Sequence, residues 1–375
     1  LIQSLDVNKS GKIIVKRQTN PLIRLDYMLW SSPVAGQGLY SFSPFTFANR
    51  FYTYTYNATT LLTGGYSNSA LGLNVTGTNA AGVNGTDTNN VQFGVGRGYL
   101  IRVPYNHPTA PAIWTGTFTG VPTNGDEPVT LNNTAVGQRF NLIGNPYPST
   151  ISMSQFVSDN SSAITGTLYF WRKTNSTSSS PGYCTWAGGT FVSNGEAQVT
   201  NPLGVIQVGQ GFIVEASATG TSVTFKNGQR VANNANQVFR LNNSNFETPE
   251  ATTTVEYNRL WLNMTSTANE FAQMSVGYNT GATQDVDVFD GKYFNDGPIA
   301  LNSIIGTTDY AIQGRALPFA TNDVVPLSYK VTNAGNYTIA LDQADGLFAA
   351  GAQDVFLKDN LNNTYTNLNT SSYTF

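Results

Sequence analysis

Short runs of apolar or alternating residues, separated by Gly, Pro and Asn, cover most of this sequence. Residues 51–56, Phe-Tyr-Thr-Tyr-Thr-Tyr, alternate aromatic and hydroxyl side chains for part of their length, which is the period of a half-buried strand. Further strands are predicted at 13–17, 25–34, 95–103, 140–144 and 168–171. Sustained helical periodicity is missing, so the pattern predicts an all-β protein.

The most distinctive stretch is Phe140 to Ser149, which contains Gly-Asn-Pro-Tyr-Pro. Pro146 and Pro148 fix φ and lack a backbone N–H donor, so a sheet strand must stop or turn here. We interpret the corner as an architectural stop at one end of a sandwich, and not as a ligand site.

Two landmarks of the sequence recur at one spacing. Pro33 and Pro146 lie 113 residues apart (146 − 33), and so do Gly98 and Gly211 (211 − 98). The agreement predicts that one β unit occurs twice in the first two thirds of the chain. Because no helical pattern follows the two Gly-x-Gly pairs, they are interpreted as bulges or close backbone contacts, and not as a dinucleotide-binding motif.

Domain boundaries follow from the repeat and from a polar segment at 233–254. Residues 1–128 and 129–245 are predicted to be the two copies, packed together, and residues 246–375 a C-terminal sandwich. The fold class is therefore tandem β-sandwich domains of jelly-roll or Ig-like type. Segments 57–90 and 172–190 differ between the copies, so we expect any binding function there.

Charged residues are scarce, at 11% of the chain, with 19 Lys and Arg against 22 Asp and Glu. This balance gives no basic footprint and argues against nucleic acid as a partner. The bias toward Asn, Thr, Ser and Gly favours an extracellular location. No apolar run reaches the ~20 residues of a membrane-spanning helix.

Residues for catalysis or zinc binding are few. Cys184 is the one cysteine and His107 the one histidine, so neither an internal disulfide nor a usual zinc site can form. His107 is expected to be a solvated loop residue. The carboxylates available for glycosidase chemistry are Asp126, Glu127, Glu196 and Glu215. Their separation cannot be taken from sequence, and we predict that the chain is not an enzyme.

An acidic run is the best candidate for ion binding. Calcium prefers several oxygen ligands on a tight loop. Four aspartates within twelve residues offer them: Asp285, Asp287, Asp290 and Asp296. Their spacing departs from an EF-hand, and the alternative is an acidic, solvated hairpin loop that binds no ion. Calcium is the one candidate cofactor.

Aromatic rings beside amides and hydroxyls are typical of sites for neutral sugars, because a ring packs on the apolar face of a pyranose. The potential platforms are Trp30, Trp114, Trp171, Trp186 and Trp261. Most are expected in cores. Trp186, ahead of Ala-Gly-Gly in a Ser/Thr-rich region, is expected to be exposed, and the candidate ligand-binding residues are Trp186, Tyr183 and Trp114.

Several segments resemble large secreted surface proteins of the Bacteroidota. The resemblance covers nearly the whole chain and is carried by residues 26–34, 141–149, 166–171, 209–212, 289–296 and 355–360. In that family such modules precede a C-terminal sorting domain read by the type IX secretion system, which exports the protein across the outer membrane and often anchors it at the surface. The resemblance carries over no catalytic residue. Since the chain begins at Leu1 without Met, we expect a longer, processed precursor.

The sequence thus favours an extracellular, cell-surface adhesin or structural module without catalysis. Its expected partners are the type IX secretion apparatus and surface glycans. One alternative is a carbohydrate-binding module of a polysaccharide-processing protein. Another is a cargo or component docked on the outer-membrane secretion machinery.

Overall fold

The structure is a computed structural model that describes residues 10–54, 65–133, 139–174, 180–232 and 255–375. Within these ranges nearly all regular structure is strand, which confirms the predicted all-β, sandwich-like class. The predicted boundary at residues 245 and 246 lies outside the described residues, as do parts of the segments 57–90 and 172–190. None of the described helices has the length and apolar character needed to span a membrane.

The described strands are numbered in chain order. The first nine are β1 (Ile13–Gln18), β2 (Tyr27–Trp30), β3 (Val34–Ala35), β4 (Phe51–Tyr54), β5 (Tyr66–Ser67), β6 (Val75–Thr76), β7 (Thr86–Asp87), β8 (Tyr99–Arg102) and β9 (Thr115–Pro122). The next ten are β10 (Glu127–Thr130), β11 (Phe140–Gly144), β12 (Thr150–Ser152), β13 (Ile164–Trp171), β14 (Tyr183–Ala187), β15 (Thr190–Val192), β16 (Val205–Ile206), β17 (Gly211–Ala216), β18 (Ser222–Phe225) and β19 (Arg230–Val231).

The last ten strands are β20 (Tyr257–Ser266), β21 (Phe271–Asn279), β22 (Gly291–Lys292), β23 (Ile299–Ile305), β24 (Thr308–Ala316), β25 (Leu327–Val331), β26 (Tyr337–Ala344), β27 (Phe356–Asp359), β28 (Thr364–Asn367) and β29 (Tyr373–Thr374). The described α-helices are α1 (Leu39–Phe42) and α2 (Met153–Asp159). Short 3-10 turns lie at Ala48–Arg50, Ser69–Leu71, Asn227–Gln229 and Gly346–Gly351.

The chain divides into two compact units. Unit 1 comprises Leu1–Thr165, Tyr169–Ser176 and Ala197–Thr248. Unit 2 comprises Gly166–Leu168, Thr177–Glu196 and Pro249–Phe375. The hairpin of β14 and β15, which the sequence prediction placed in the second copy, therefore belongs to unit 2.

Unit 2 is built on one large sheet, in which β20 pairs with both β21 and β26. β20 and β21 form a hairpin, and Asn269 makes its turn with a φ of 60°. Asn tolerates this left-handed conformation better than most residues. Met264 and Met274, both fully buried, lie on the sheet face that carries the core of the unit.

Two antiparallel ladders of unit 1 share one register. In the first, β2 pairs with β8 and Trp30 lies opposite Tyr99. In the second, β11 pairs with β17 and Ile143 lies opposite Phe212, so both partners are displaced by 113 residues (143 − 30 and 212 − 99). This is the geometry that the predicted repeat requires, although the repeat itself stays a prediction.

Contacts between the two ladders are reciprocal. The Ser31 N–H donates to the Gly209 carbonyl at 2.9 Å, and the Gly144 N–H donates to the Gly96 carbonyl at 3.0 Å. The two hydrogen bonds correspond to each other under the 113-residue spacing: Ser31 corresponds to Gly144 (31 + 113), and Gly209 corresponds to Gly96 (209 − 113). Such an exchange is the pattern of a twofold axis. The close approach of the two ladders also explains the glycine at position 144, because a Cβ there would lie 2.4 Å from the Ser31 Cβ.

The Gly-Asn-Pro corner is held by its asparagine. Asn145 is fully buried, its Oδ1 accepts from the Tyr147 N–H at 2.9 Å, and its Nδ2 donates to the Ser149 carbonyl at 2.8 Å. Tyr147 is fully buried too, and its hydroxyl donates to the Gly125 carbonyl at 2.7 Å. The asparagine and tyrosine of the corner therefore present no accessible surface to a ligand.

Candidate functional site

Two of the three predicted ligand-binding aromatics are buried in unit 2. Trp186 is 3% exposed and lies opposite Phe191 in the β14–β15 hairpin. Tyr183 is 2% exposed, with its ring 4.9 Å from that of Phe294. The prediction that Trp186 is exposed is wrong, because the glycines that follow it form the tight hairpin turn and do not open the strand to solvent.

Three of the four predicted calcium ligands, Asp287, Asp290 and Asp296, accept hydrogen bonds from backbone N–H groups of turns. Asp287 accepts from the Phe289 N–H at 2.8 Å, and Asp296 accepts from the Gly182 N–H at 2.9 Å. Asp290 is 3% exposed and accepts from the N–H groups of Asp287 and Gly314 at 2.8 and 2.9 Å. Among the described residues no group of three His, Cys, Asp or Glu side chains is placed to hold a metal ion.

The burial of Asp290 also shows that the alternative prediction, an acidic and solvated hairpin loop, is wrong at this residue. Burial raises the pKa of Asp290 to about 7, and two backbone N–H groups oppose the shift. The carboxyl group therefore changes charge near neutral pH while it closes a turn inside unit 2. Its chemistry is structural, since its hydrogen bonds go to the backbone of its own unit.

His107 is buried, and the prediction of a solvated loop histidine is wrong. Its side chain is 7% exposed, and its Nε2 lies 2.8 Å from the Leu22 carbonyl oxygen. The backbone N–H of His107 donates to the Pro104 carbonyl at 3.0 Å. The loop that carries His107 thus folds back onto the chain at Leu22. The residues flanking His107 in the sequence give no indication of this contact.

Trp114, the third predicted aromatic, borders a cavity of unit 1 with a volume of about 340 Å³. The cavity lies between the end of α1, the loop at 104–108 and the start of β9. Residues that line it include Phe42, Ser43, His107, Trp114, Thr115 and Thr117. None of the lining residues in the described part of the chain is a carboxylate, so the walls offer aromatic rings, hydroxyls and backbone groups. The glycosidase candidates Glu196 and Glu215 are both buried elsewhere.

The indole of Trp114 is fixed by its neighbours. Its ring centroid lies 5.5 Å from that of Trp30 and 5.4 Å from that of Phe42, and both contacts are edge-on. Edge-to-face packing of this kind is the preferred arrangement of aromatic pairs. Trp114 is nevertheless only half-buried. It therefore presents a rigid apolar surface that loses little side-chain freedom when a ligand binds.

Exposed aromatics extend the surface beside this cavity. Phe45 and Tyr105 are 36% and 41% exposed, and the Tyr105 N–H donates to the Phe45 carbonyl at 2.7 Å. The Phe47 ring packs edge-on against Tyr105 at 5.3 Å. Apolar side chains this exposed and this close together are typical of a binding surface.

The opposite flank of the cavity is basic. A depression of about 550 Å³ is lined by Lys16, Arg17, Gln18, Thr115 and Thr117, and the two threonines also line the Trp114 cavity.

Residues 1–124 contain eight Lys and Arg against three Asp and Glu, a net charge of +5, whereas the other 251 residues contain eleven against nineteen, a net charge of −8. The local field around the cavity therefore favours ligands with negative groups.

The fold and the cavity define an all-β protein with an aromatic-lined pocket on unit 1. The chain belongs to the family described as Domain of unknown function (DUF8693), whose match covers residues 1–375. No curated protein matches the chain, and no solved structure does.

Proposed function

We propose that this chain is the non-catalytic binding module of an extracellular surface adhesin, and that the Trp114 cavity binds carbohydrate. The observation that carries the proposal is the cavity itself. A half-buried tryptophan, fixed by two other rings, lies beside hydroxyl and backbone groups, and none of the described lining residues carries a carboxylate that could drive hydrolysis. Sugars need an apolar platform and a few hydrogen-bonding groups, and these walls supply both.

The size of the cavity fits this role. Small-molecule pockets range from about 300 to about 1,000 Å³, and the 340 Å³ of the Trp114 cavity lies at the lower end. A site of this size binds the end or one unit of a glycan. The basic depression beside it gives room for a further unit that carries a carboxylate or sulfate.

The extracellular part of the proposal rests on the resemblance to secreted surface proteins of the Bacteroidota. Export by the type IX secretion system and attachment at the outer membrane are the expected consequences. Co-purification of the precursor with outer-membrane secretion proteins, and its loss from the cell surface when that system is deleted, would test them.

Binding is tested with the whole chain on a glycan array, followed by calorimetric titration of the best ligand. We expect a Trp114→Ala substitution to abolish the signal, because aromatic truncation removes the platform. Trp261→Phe is the matched control, since Trp261 is an 8% exposed tryptophan of unit 2. Silence on every glycan, or equal binding by the wild type and Trp114→Ala, would contradict the proposal.

A further inference from the structure

Three arginines of unit 1 lack an acidic partner. Arg24 precedes β2, Arg50 precedes β4, and Arg102 ends β8. Each is half-buried, and within the described part of the chain none of the three forms an ion pair. Asp26, which is close to Arg24 in the sequence, is fully buried, and its Oδ2 accepts from the Ile23 N–H at 2.9 Å. The three guanidinium groups therefore keep their full positive charge.

Two of these arginines are held over aromatic rings. The guanidinium carbon of Arg102 lies 5.3 Å from the centroid of the Phe47 ring, and that of Arg24 lies 5.8 Å from the centroid of the Tyr105 ring. Phe47 and Tyr105 pack edge-on against each other at 5.3 Å. A cation–π contact restrains a guanidinium group and leaves its N–H groups available for hydrogen bonds. Both arginines are thus positioned before a ligand arrives.

Two tyrosines join Arg102 to Arg50. Tyr27 lies opposite Arg102 in the β2–β8 ladder, and its ring centroid is 6.0 Å from that of Tyr52. The Arg50 Nη1 donates to the Tyr52 hydroxyl at 3.2 Å and to the Asn49 carbonyl at 3.3 Å. Hydroxyl and guanidinium groups, all suited to an anionic oxygen, therefore lie side by side at this end of the sheet.

The arginines at this end of the sheet repel each other. Burial lowers the pKa of Arg102, the nearby Tyr27 opposes that shift, and the charge of Arg50 lowers the pKa further. An anion bound between the two guanidinium groups would relieve the repulsion and accept charge-assisted hydrogen bonds. We call the whole surface the arginine strip: Arg24, Tyr27, Phe47, Arg50, Tyr52, Arg102 and Tyr105.

The arginine strip begins at the wall of the Trp114 cavity. Phe45 lines the cavity, and its carbonyl accepts from the N–H of Tyr105, a residue of the strip, at 2.7 Å. Thr46, the next residue, donates its hydroxyl to the Arg102 carbonyl at 2.8 Å. These two bonds fix the strip to the cavity wall. A ligand that extends out of the cavity therefore meets cationic groups along the strip as well as in the basic depression.

We propose that the arginine strip binds the acidic groups of a polyanionic glycan, one unit of which occupies the Trp114 cavity. The inference rests on the proposed carbohydrate function and names the class of glycan. Sulfate and carboxylate groups both accept paired N–H donors from a guanidinium group, so either can occupy the strip. The positive net charge of residues 1–124 attracts such a chain and raises its rate of association.

Single-stranded nucleic acid is the competing polyanion, because its sites also combine arginines with aromatic rings. Those sites offer open ring faces on which successive bases stack. In the arginine strip, Arg102 covers one face of Phe47, and Arg24 covers one face of Tyr105. Neighbouring rings meet at 56° and 66°, which gives no row of parallel platforms. The geometry favours anion binding through guanidinium groups over base stacking.

The test compares three hexasaccharides with one backbone by calorimetric titration of the full chain. They are chondroitin sulfate, its desulfated form, which keeps the carboxylates, and a desulfated form whose carboxylates are reduced to alcohols. We expect the neutral form to bind at least about tenfold more weakly than either acidic form, as one charge-assisted contact implies. The difference should shrink as salt concentration rises.

Arg24→Gln/Arg50→Gln locates the contacts. The double variant should bind the sulfated hexasaccharide about a hundredfold more weakly, since two charge-assisted contacts are lost, and the neutral form unchanged. Lys330→Gln/Lys358→Gln is the matched control, because it removes two charges from exposed residues of unit 2. The control should bind all three hexasaccharides as the wild type does. Thermal melts show whether both variants fold.

The outcomes separate the inference from the proposed function. Trp114-dependent binding of all three hexasaccharides with equal affinity, or Trp114-dependent binding of neutral array glycans alone, would overturn the anion site and leave the glycan proposal standing. Equal binding by the wild type and Trp114→Ala would contradict the glycan proposal itself. A preference for acidic forms that the arginine double variant keeps would overturn the arginine strip.

Nucleic acid binding has its own arm. A single-stranded oligothymidylate that binds as tightly as the sulfated hexasaccharide would overturn the inference in favour of nucleic acid. If Arg24→Gln/Arg50→Gln does not fold, the side-chain Nε–H NMR signals of Arg24 and Arg50 in the wild type decide the question. We expect them to shift when the sulfated hexasaccharide binds, and binding without such a shift would overturn the inference.

Discussion

The edges of β9 and β18 differ in one respect that matters for function. Both strands carry a phenylalanine stacked under a helix, but at β18 the chain supplies Asn160 to pair with Thr224, whereas at β9 the backbone of Thr117 faces a cavity. An unpaired strand edge is a liability that proteins usually cover. The comparison teaches that the chain closes the edge of β18 with its own side chains, whereas the edge of β9 at Thr117 borders the cavity that we propose binds a ligand.

The largest effect is expected from unsealing β18. Asn160→Ala leaves the Thr224 N–H without its side-chain acceptor and the Thr224 carbonyl with Gln229 as its remaining side-chain donor, so the free energy of unfolding should fall by about 1–3 kcal/mol. Chemical denaturation measures this. Asn160→Asp turns a carboxylate oxygen toward the Phe156 and Thr224 carbonyls in a buried place, and should give a loss at least as large. An unchanged denaturation midpoint for Asn160→Ala would show that the seal contributes nothing.

A smaller effect is expected at the glycines where the two ladders meet. A Cβ on Gly98 would lie 2.7 Å from the Ile143 carbonyl oxygen, whereas a Cβ on Gly211 would lie no closer than 3.1 Å to the Leu29 side chain. Gly98→Ala should therefore destabilise unit 1 by about 1–2 kcal/mol, as overpacking does, and Gly211→Ala by less. Thermal melts of the two variants compare them directly. Equal melting temperatures would contradict the asymmetry.

A third effect depends on pH and comes from a titrating group in unit 2. Burial raises the pKa of Asp290 to about 7, so the folded state retains a proton that the unfolded state loses near pH 4. The contribution of Asp290 to stability should therefore fall as pH rises from about 4 to about 7 and stay level above that. The nearby Asp287 carboxylate raises the pKa and Arg315 lowers it.

Asp290→Asn isolates this contribution. The variant also changes the hydrogen bonds to Asp287 and Gly314, which gives an offset that does not vary with pH. The wild type should lose stability relative to the variant as pH rises from about 4 to about 7. A difference that stays constant across this range would mean that Asp290 titrates as it does in the unfolded chain.

Much of the fold could be predicted from sequence, because strand periodicity and turn residues are local properties. The landmarks Pro33, Gly98, Pro146 and Gly211 located the two ladders whose registers agree. Exposure was harder to predict. Trp186 and His107 were both expected to be exposed and are both buried. Their burial depends on how a hairpin and a loop fold over neighbouring residues, and the polarity of the flanking sequence does not indicate this.

The open edge at Thr117 was missed for a different reason. It arises from the length of two helices, since α1 has four residues and α2 has seven. The local signal is Pro44, two residues after Phe42, whereas the chain after Phe156 continues through Ser158 to Asn160. That signal gains meaning only when the two stacked phenylalanine pairs are compared. Their helix members lie 114 residues apart (156 − 42) and their strand members 107 (225 − 118), so neither spacing is the 113 of the ladders.

The central claim, that the Trp114 cavity binds carbohydrate, is tested most directly by the backbone amide signals of Thr117 and Thr224 in one NMR titration with the glycan that binds most tightly on the array. The two threonines occupy equivalent places, so each controls for the other. We predict that the Thr117 amide shifts and exchanges more slowly with solvent on binding, while the Thr224 amide, already bonded to Asn160, stays unchanged. Saturable binding of the sugar with no change at Thr117 would contradict the account.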